Sequence, residues 1–379
     1  MQNIAFSDLP PSSFEADIWH FLQKDARPIV VYGMGNGADK LAARLSSFGK
    51  EIADFFASDE FVRGQFFRGK QVLSLAQIEE KYPDFIILVS FGSHLSHVVD
   101  AVYALAEKHT LLIPDLPLAG EDYFDAAFYR KNYEKIKRVF ALLQDERSRE
   151  IFASVVWYKL TGETKFLKRA VYTEDKQVLL GCGTIRRAVD VGAYRGDTLA
   201  DLHACAPNLC EVIAVEPDRK NFAKLQKVAD SLQTETFRVE CCHAAAWNED
   251  GFSAFAESGN RNATLLHTTL KTSFEHKEEE IRTAKIDTIL SGRKTDYIKY
   301  DTEGAEAEAL FGTFKTIQSC APYLLVSAYH KSEDIFSLPL LLAESFPQKY
   351  TYYYRRSHCF PAWELDLIAV PNERTERGI

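Results

Sequence analysis

The chain has 379 residues, more than one ordinary core holds, so two domains are expected. Its 46% hydrophobic and 12% aromatic content suits packed cores and argues against extended disorder. A formal net charge of −9 excludes a general nucleic-acid binder, which needs clustered Lys and Arg against phosphates. Two short basic pairs, Arg186-Arg187 and Arg355-Arg356, read as solvated surface rather than anion sites. The seven cysteines are odd in number, include the adjacent Cys241-Cys242, and show no CxxC or Cys/His metal spacing, which suits reduced thiols in a cytosol. No apolar run approaches the roughly 18 to 20 residues of a membrane span, and residues 1–14 lack the pattern of a secretory leader. The expectation is a soluble, cytoplasmic protein; its oligomeric state is not legible in the sequence.

The first module, residues 1–119, predicts a strand at 28–32, the glycine turn Gly33 to Ala38 (GMGNGA), and a helix at 39–48 with apolar positions Leu41, Leu45 and Phe48. A second strand at 51–56, a strongly apolar strand at 85–91, a helix at 98–108 and a short strand at 111–114 follow. Alternation of strand and helix predicts a parallel sheet. GMGNGA satisfies the dinucleotide fingerprint with Ala in the third place, but Phe56-Ala57-Ser58 stands where a ribose-binding acid should end the second strand. The turn therefore reads as structural or as a place for another ligand, such as a sugar nucleotide. A nicotinamide-dependent oxidoreductase and a non-catalytic nucleotide or cofactor sensor are the alternatives for the chain as a whole. Ser93, His94, Ser96 and His97 follow the central strand, where helix capping by Ser93 or Ser96 is the preferred reading.

Residues 120–186 are helix-rich, with apolar positions such as Val139, Leu142, Ile151, Val155 and Leu160, and predict a helical connection packed against both modules. The second module, residues 187–379, predicts strands at 188–191, 211–215, 237–241, 297–300 and 323–328, with helices between them. Strands at 350–354 and 365–370 have no convincing long helix between them and predict an antiparallel pair closing the sheet's edge.

In this module AVDVGAYRGDT (residues 188–198) reads as a buried strand ending in Asp190, a turn through Gly192 and Gly196, and a helix opening at Asp197-Thr198. Glu216 follows 24 residues beyond Gly192, at the end of the next strand, where such folds place a carboxylate on ribose hydroxyls. Asp301 ends the 297–300 strand, and Thr302-Glu303-Gly304 leads into a helix predicted over 305–314. Local capping by Asp301 or Thr302 is the bland account, worth about 1 kcal/mol. It does not require so many acids at one strand edge. His330 follows the next strand and lies beside Asp301.

Four segments together, DVGAYRGDT, Glu216-Pro217, IKYDTEGAE (residues 298–306) and SAYHK (residues 327–331) followed by Asp334, resemble the FkbM family of methyltransferases. With the alternation read in the first module, the resemblance of the second predicts an α/β fold of two Rossmann-like modules, the C-terminal one a class I methyltransferase sheet with an antiparallel closing edge. It implies S-adenosylmethionine as cofactor and O-methylation as the reaction but does not fix the acceptor, for which a saccharide or secondary metabolite is the expectation. Cofactor-binding candidates are Asp190, Gly192, Ala193, Tyr194, Gly196, Asp197, Thr198, Glu216 and Asp301. Tyr194 stands where many methyltransferases have glycine, so its ring is expected to cover part of the ligand.

His330 is the candidate catalytic base, since a hydroxyl acceptor benefits from a base near neutral pH. Asp301 and Glu303 are the candidate orienting acids. A divalent ion on these three residues is chemically allowed but not favoured, because three residues give an incomplete shell. Polar residues 260–273, including Asn262, Thr264 and Thr268, are a candidate lid. Tyr352, Tyr353, Tyr354, Phe360 and Trp363 are weak candidates for stacking on a sugar, since alternation along a strand buries about half of them.

Overall fold

A computed structural model describes residues 8–256 and 278–375. The first sheet contains β1 (Ile29–Tyr32), β2 (Ile52–Phe56), β3 (Phe66–Phe67), β4 (Lys70–Leu73), β5 (Ile86–Val89) and β6 (Thr110–Leu112), in the order β3-β4-β2-β1-β5-β6. All neighbours run parallel except the short edge strand β3. All four residues of β5 are buried, as a strand covered on both faces requires. The glycine turn launches the helix Asn36–Ser46 three residues earlier than its apolar spacing suggests, because Gly35 takes the cap position at φ +93°. Gly37 lets that helix touch the sheet: a Cβ there would stand 1.9 Å from the Ser90 carbonyl oxygen. The β3–β4 hairpin and the helix Leu75–Lys81 were not legible from hydrophobic period. The helix carries a Ser74/Gln77 capping box, which is a sequence signal.

The connection folds as the helices Ala126–Leu142, Glu146–Thr161 and Thr164–Arg169. Asp125 and Asp145 cap the first two with side-chain acceptors, and Gly162 ends the second at φ +69°. Helix Glu146–Thr161 is buried at every position from Ile151 to Leu160. Such a helix has no solvent face, and this one is enclosed between modules: Gly162 accepts from Ile113 beyond β6, while Ser148 accepts from Tyr354 of the second sheet.

The second sheet begins with β7 (Arg187–Val191), β8 (Glu211–Glu216) and β9 (Arg238–His243). A small side sheet follows from β10 (Ala245–Ala246), β11 (Gly251–Ala256) and β12 (Glu278–Ala284), in the order β10-β12-β11. It interrupts the expected alternation and was not anticipated. The main sheet then resumes with β13 (Tyr297–Tyr300), β14 (Tyr323–Ser327), β15 (Tyr350–Arg356) and β16 (Leu365–Pro371). Its order is β15-β16-β14-β13-β7-β8-β9, parallel from β14 to β9, with β16 and β15 antiparallel. The closing pair therefore lies where the sequence predicts it. One cluster of buried apolar side chains extends from Val30 and Ile87 through Phe152 and Leu160 to Val189, Ile298 and Leu367. Both sheets and the helices between them share it.

Three expectations need correction. Arg355 and Arg356 are not solvated: both are 0% exposed. Arg355 donates to Asp175 and Asp145, each at 2.6 Å, and to Ser148; Arg356 donates to the carbonyls of Leu167 and Pro361. Adjacent strand residues face opposite sides, and here both sides are covered, so each guanidinium takes up buried acceptors instead of water. The aromatic cluster is mostly core, with Tyr352, Tyr354 and Phe360 buried, while the Trp363 ring packs so close to Gly92 that a Cβ there would stand 2.2 Å from it. The helix expected over 305–314 is broken into Glu306–Phe311 and Phe314–Cys320, because Gly312 seats tightly against the Trp247 carbonyl. The candidate lid at 260–273 lies outside the described residues.

Candidate active site

The turn after β7 is built by two close approaches. Gly192, at φ +81°, donates its N–H to the Val215 carbonyl at 2.9 Å, and a Cβ on it would stand 1.8 Å from the Asp301 carbonyl oxygen. Only glycine fits, so the first and fourth strand ends of the module touch here. Asp190 is 2% exposed and accepts from the Thr198 hydroxyl at 2.6 Å, which ties the strand to the helix Asp197–Cys205. Tyr194 adopts φ +49° and turns its N–H to Glu216 Oε2 at 2.8 Å. Glu216 Oε1 accepts from the Asp218 N–H at 2.9 Å. Burial pushes the Glu216 carboxyl up to about 8, against those two donors.

These groups border a cavity of about 280 Å³. Gly192, Ala193, Tyr194, Asp197, Thr198 and Glu216 line it, as do Asp301, Thr302, Glu303 and Tyr329. Asp190 and Gly196 stand behind the lining: Gly196, at φ +92°, packs on Val228 and Leu225. Lys299, which the sequence reading passed over, also faces the cavity. Its Nζ lies 3.2 Å from Asp301 Oδ2 and 3.7 Å from Asp190 Oδ1, because register pairs Lys299 with Asp190 across β13 and β7. Burial disfavours the ammonium, but the two carboxylates outweigh it and hold its pKa above the ordinary value. Two-residue spacing before Asp301 was the available signal.

His330 is 1% exposed, and its ring meets three carboxylates. Nε2 lies 3.6 Å from Asp301 Oδ1 and 3.5 Å from Glu303 Oε2; Nδ1 lies 2.9 Å from Glu306 Oε1, a contact off the alignment of a good hydrogen bond. Burial opposes the charge on the ring, yet Glu306, Glu303 and Asp301 prevail and raise its pKa to about 10. At neutral pH the ring therefore holds a proton that a base must first lose. Asp301 responds in kind: burial would raise it, but Lys299 and His330 hold it below the usual carboxylate range.

The capping account of this turn is not what the structure shows. The cap of Glu306–Phe311 is Ala305, without a side-chain bond, and Glu306 Oε1 instead reaches back to the N–H groups of Thr302 and Gly304. Asp301, Glu306 and His330 present donor atoms within 4.8 Å of one another, the one such group among the described residues.

The N-terminal glycine turn offers less. Tyr32 stacks on Phe56 at 4.6 Å, and its hydroxyl meets Ser58, so aromatic packing fills the place of a ribose-binding acid. A Cβ on Gly33 would strike Phe91 and Ser90. Ser93 and Ser96 are not caps, since Leu95 holds the cap position of the helix Ser96–Ala106. Ser93 pairs through its backbone with Phe360, while His94 and His97 are exposed.

The strand order and the acids gathered at one carboxyl edge define a Rossmann-like methyltransferase fold. Residues 190–352 match the family model described as the methyltransferase FkbM domain. The crystal structure of the methyltransferase FkbM from Methylobacillus flagellatus KT is similar over 97% of this chain and 95% of its own, at TM-score 0.67 and 20% identity. At that identity the likeness is one of fold, and it extends through both modules. Precorrin-6y C5,15-methyltransferase from Geobacter metallireducens GS-15 covers 52% of this chain and 88% of its own, with 10% identity and TM-score 0.33. No curated protein matches the chain. Among the described residues no helix is long and apolar enough to cross a membrane.

Proposed function

We propose that this methyltransferase uses S-adenosylmethionine to methylate a hydroxyl of a saccharide or secondary-metabolite acceptor. The observation that carries the reading is the buried Glu216 carboxylate at the wall of the cavity, which the Gly192–Thr198 turn, Asp301 and Glu303 also line, with His330 buried behind the two acids. Its oxygens each accept one backbone N–H and keep lone pairs for the paired hydroxyls of a ribose. The cavity is near the lower bound of small-ligand clefts, roughly 300 Å³.

When bound, the cofactor supplies an electrophilic methyl group on a positively charged sulfur. The chain's own contribution is placement, and positioning of this kind can supply roughly 7 to 11 kcal/mol of a barrier. Asp301 and Glu303 face the cavity as hydrogen-bond acceptors for an acceptor hydroxyl. His330 is the candidate base behind them, and its neighbours make it act only after release of its own proton.

Incubation with methyl-labelled S-adenosylmethionine and a panel of glycans and polyhydroxylated metabolites tests the reading. Label is expected on oxygen. Label on nitrogen or carbon, or an acceptor with no hydroxyl, overturns the O-directed assignment, and failure to bind S-adenosylhomocysteine overturns the cofactor.

A further inference from the structure

The segment leaving β6, residues 113–122, is pinned at both ends of its course. Ile113 donates to the Gly162 carbonyl at 2.8 Å, and Asp115 pairs with buried Lys159 at 2.8 Å. Lys40, on the helix that the GMGNGA turn launches, donates to the Pro117 carbonyl at 2.6 Å. The next two N–H groups, of Leu118 and Ala119, both donate to the His330 carbonyl, at 3.2 and 2.9 Å. Asp122 O then accepts from the Ser332 hydroxyl at 2.6 Å. Ala119 also packs on the turn beside Glu303: a Cβ on Gly304 would stand 2.6 Å from that of Ala119.

We propose that Lys40, acting through Pro117, Leu118 and Ala119, is a positioning residue that holds His330 in its place among Asp301, Glu303 and Glu306. The N-terminal module is then a working part of the acceptor side of the site. This rests on the reading of His330 as an acceptor-side residue.

Two donors on one carbonyl use both of its lone pairs and fix the His330 peptide from outside its own module. The ring is set by that peptide and by the groups facing it. These are Asp301 from the end of β13, Glu303 from the following turn, Glu306 from its helix, and Asp334 from the helix Asp334–Ser345, with Lys299 beyond Asp301. Charge contacts of this kind weaken as they lengthen, so a loosened segment lowers the ring's hold on its proton. The glycine turn thereby acquires a use without a bound nucleotide, since it launches the helix that delivers Lys40.

The test follows the His330 imidazole by NMR titration in the full chain, assigned with His330→Gln. In Lys40→Met the His330 midpoint is expected to fall by about one unit, a tenfold loss of proton affinity, with S-adenosylhomocysteine Kd within about twofold of the unsubstituted chain. Lys40→Arg, which keeps a donor, is expected to restore the midpoint. Ala119→Val, which presses on Gly304, is expected to lower it and serves if Lys40→Met does not fold. An unchanged midpoint in the folded variants overturns the proposal, and so does a fall accompanied by equal loss of cofactor binding. Neither measurement needs methyl transfer. A shifted midpoint in a chain that methylates nothing would therefore sink the proposed function and leave the positioning role standing.

Discussion

Glu216 shows how one side chain can be read from sequence, and what structure adds. Its distance beyond Gly192 and its place at a strand end mark it as a candidate ribose acceptor, but its burial and its two backbone donors emerge only on folding. With its carboxyl raised to about 8, affinity for S-adenosylhomocysteine is expected to strengthen as pH rises from 7 to 9 and the group ionises. Glu216→Gln should weaken binding by about 10- to 100-fold at pH 9, the worth of charge-assisted hydrogen bonds, and flatten the pH dependence. Calorimetry at the two pH values checks both. Asp190, Asp301 and His330 were legible for the same reason, since strand ends in this fold share one edge. Arg355 was not, because a basic pair near the chain's end looks the same whether water or two aspartates surround it. Arg355→Met is expected to cost about 2 to 4 kcal/mol in urea unfolding, as it leaves Asp145 and Asp175 without their partner.

At the scale of elements, the turn after β7 and the end of β13 form one object. Gly192→Ala must relieve both a left-handed backbone, costing about 1 to 3 kcal/mol, and a Cβ at 1.8 Å from the Asp301 carbonyl. A lower Tm and at least a tenfold loss of S-adenosylhomocysteine affinity are expected in thermal and calorimetric measurements. Strands, the glycine turn and the antiparallel edge could be placed because their periods are local. The side sheet β10–β12 and the contact of Leu118 and Ala119 with His330 could not. They join positions far apart in the chain, and no short-range pattern records such a pairing.

For the molecule as a whole, three buried groups bear on stability in the same direction. His330 rises from 6.5 to about 10, Glu216 from 4.5 to about 8 and Asp334 from 3.8 to about 8. Each binds its proton more tightly folded than unfolded. Each therefore contributes stability in full below its ordinary pKa, and that contribution disappears as pH rises through the folded value. Thermal melts should show Tm falling between pH 7 and 10, with a smaller fall over pH 8 to 10 in His330→Gln. Because one apolar cluster serves both sheets, a fragment beginning at residue 119 should fail to give the single cooperative transition of the full chain. Two independent transitions in the full chain, or a well-folded fragment, would contradict that expectation.

The enclosed helix Glu146–Thr161 sets a rule for anyone wishing to retarget this scaffold. Its Lys159 neutralises Asp115 on one side while its Ser148 serves Tyr354 and Arg355 on the other. An exchange of residues 1–119 for those of a relative would leave half of these pairs mismatched inside a solid core. Chimeras with altered acceptor choice should carry the helices along with the N-terminal module and match the β15 face, or else confine the changes to loops at the cavity rim.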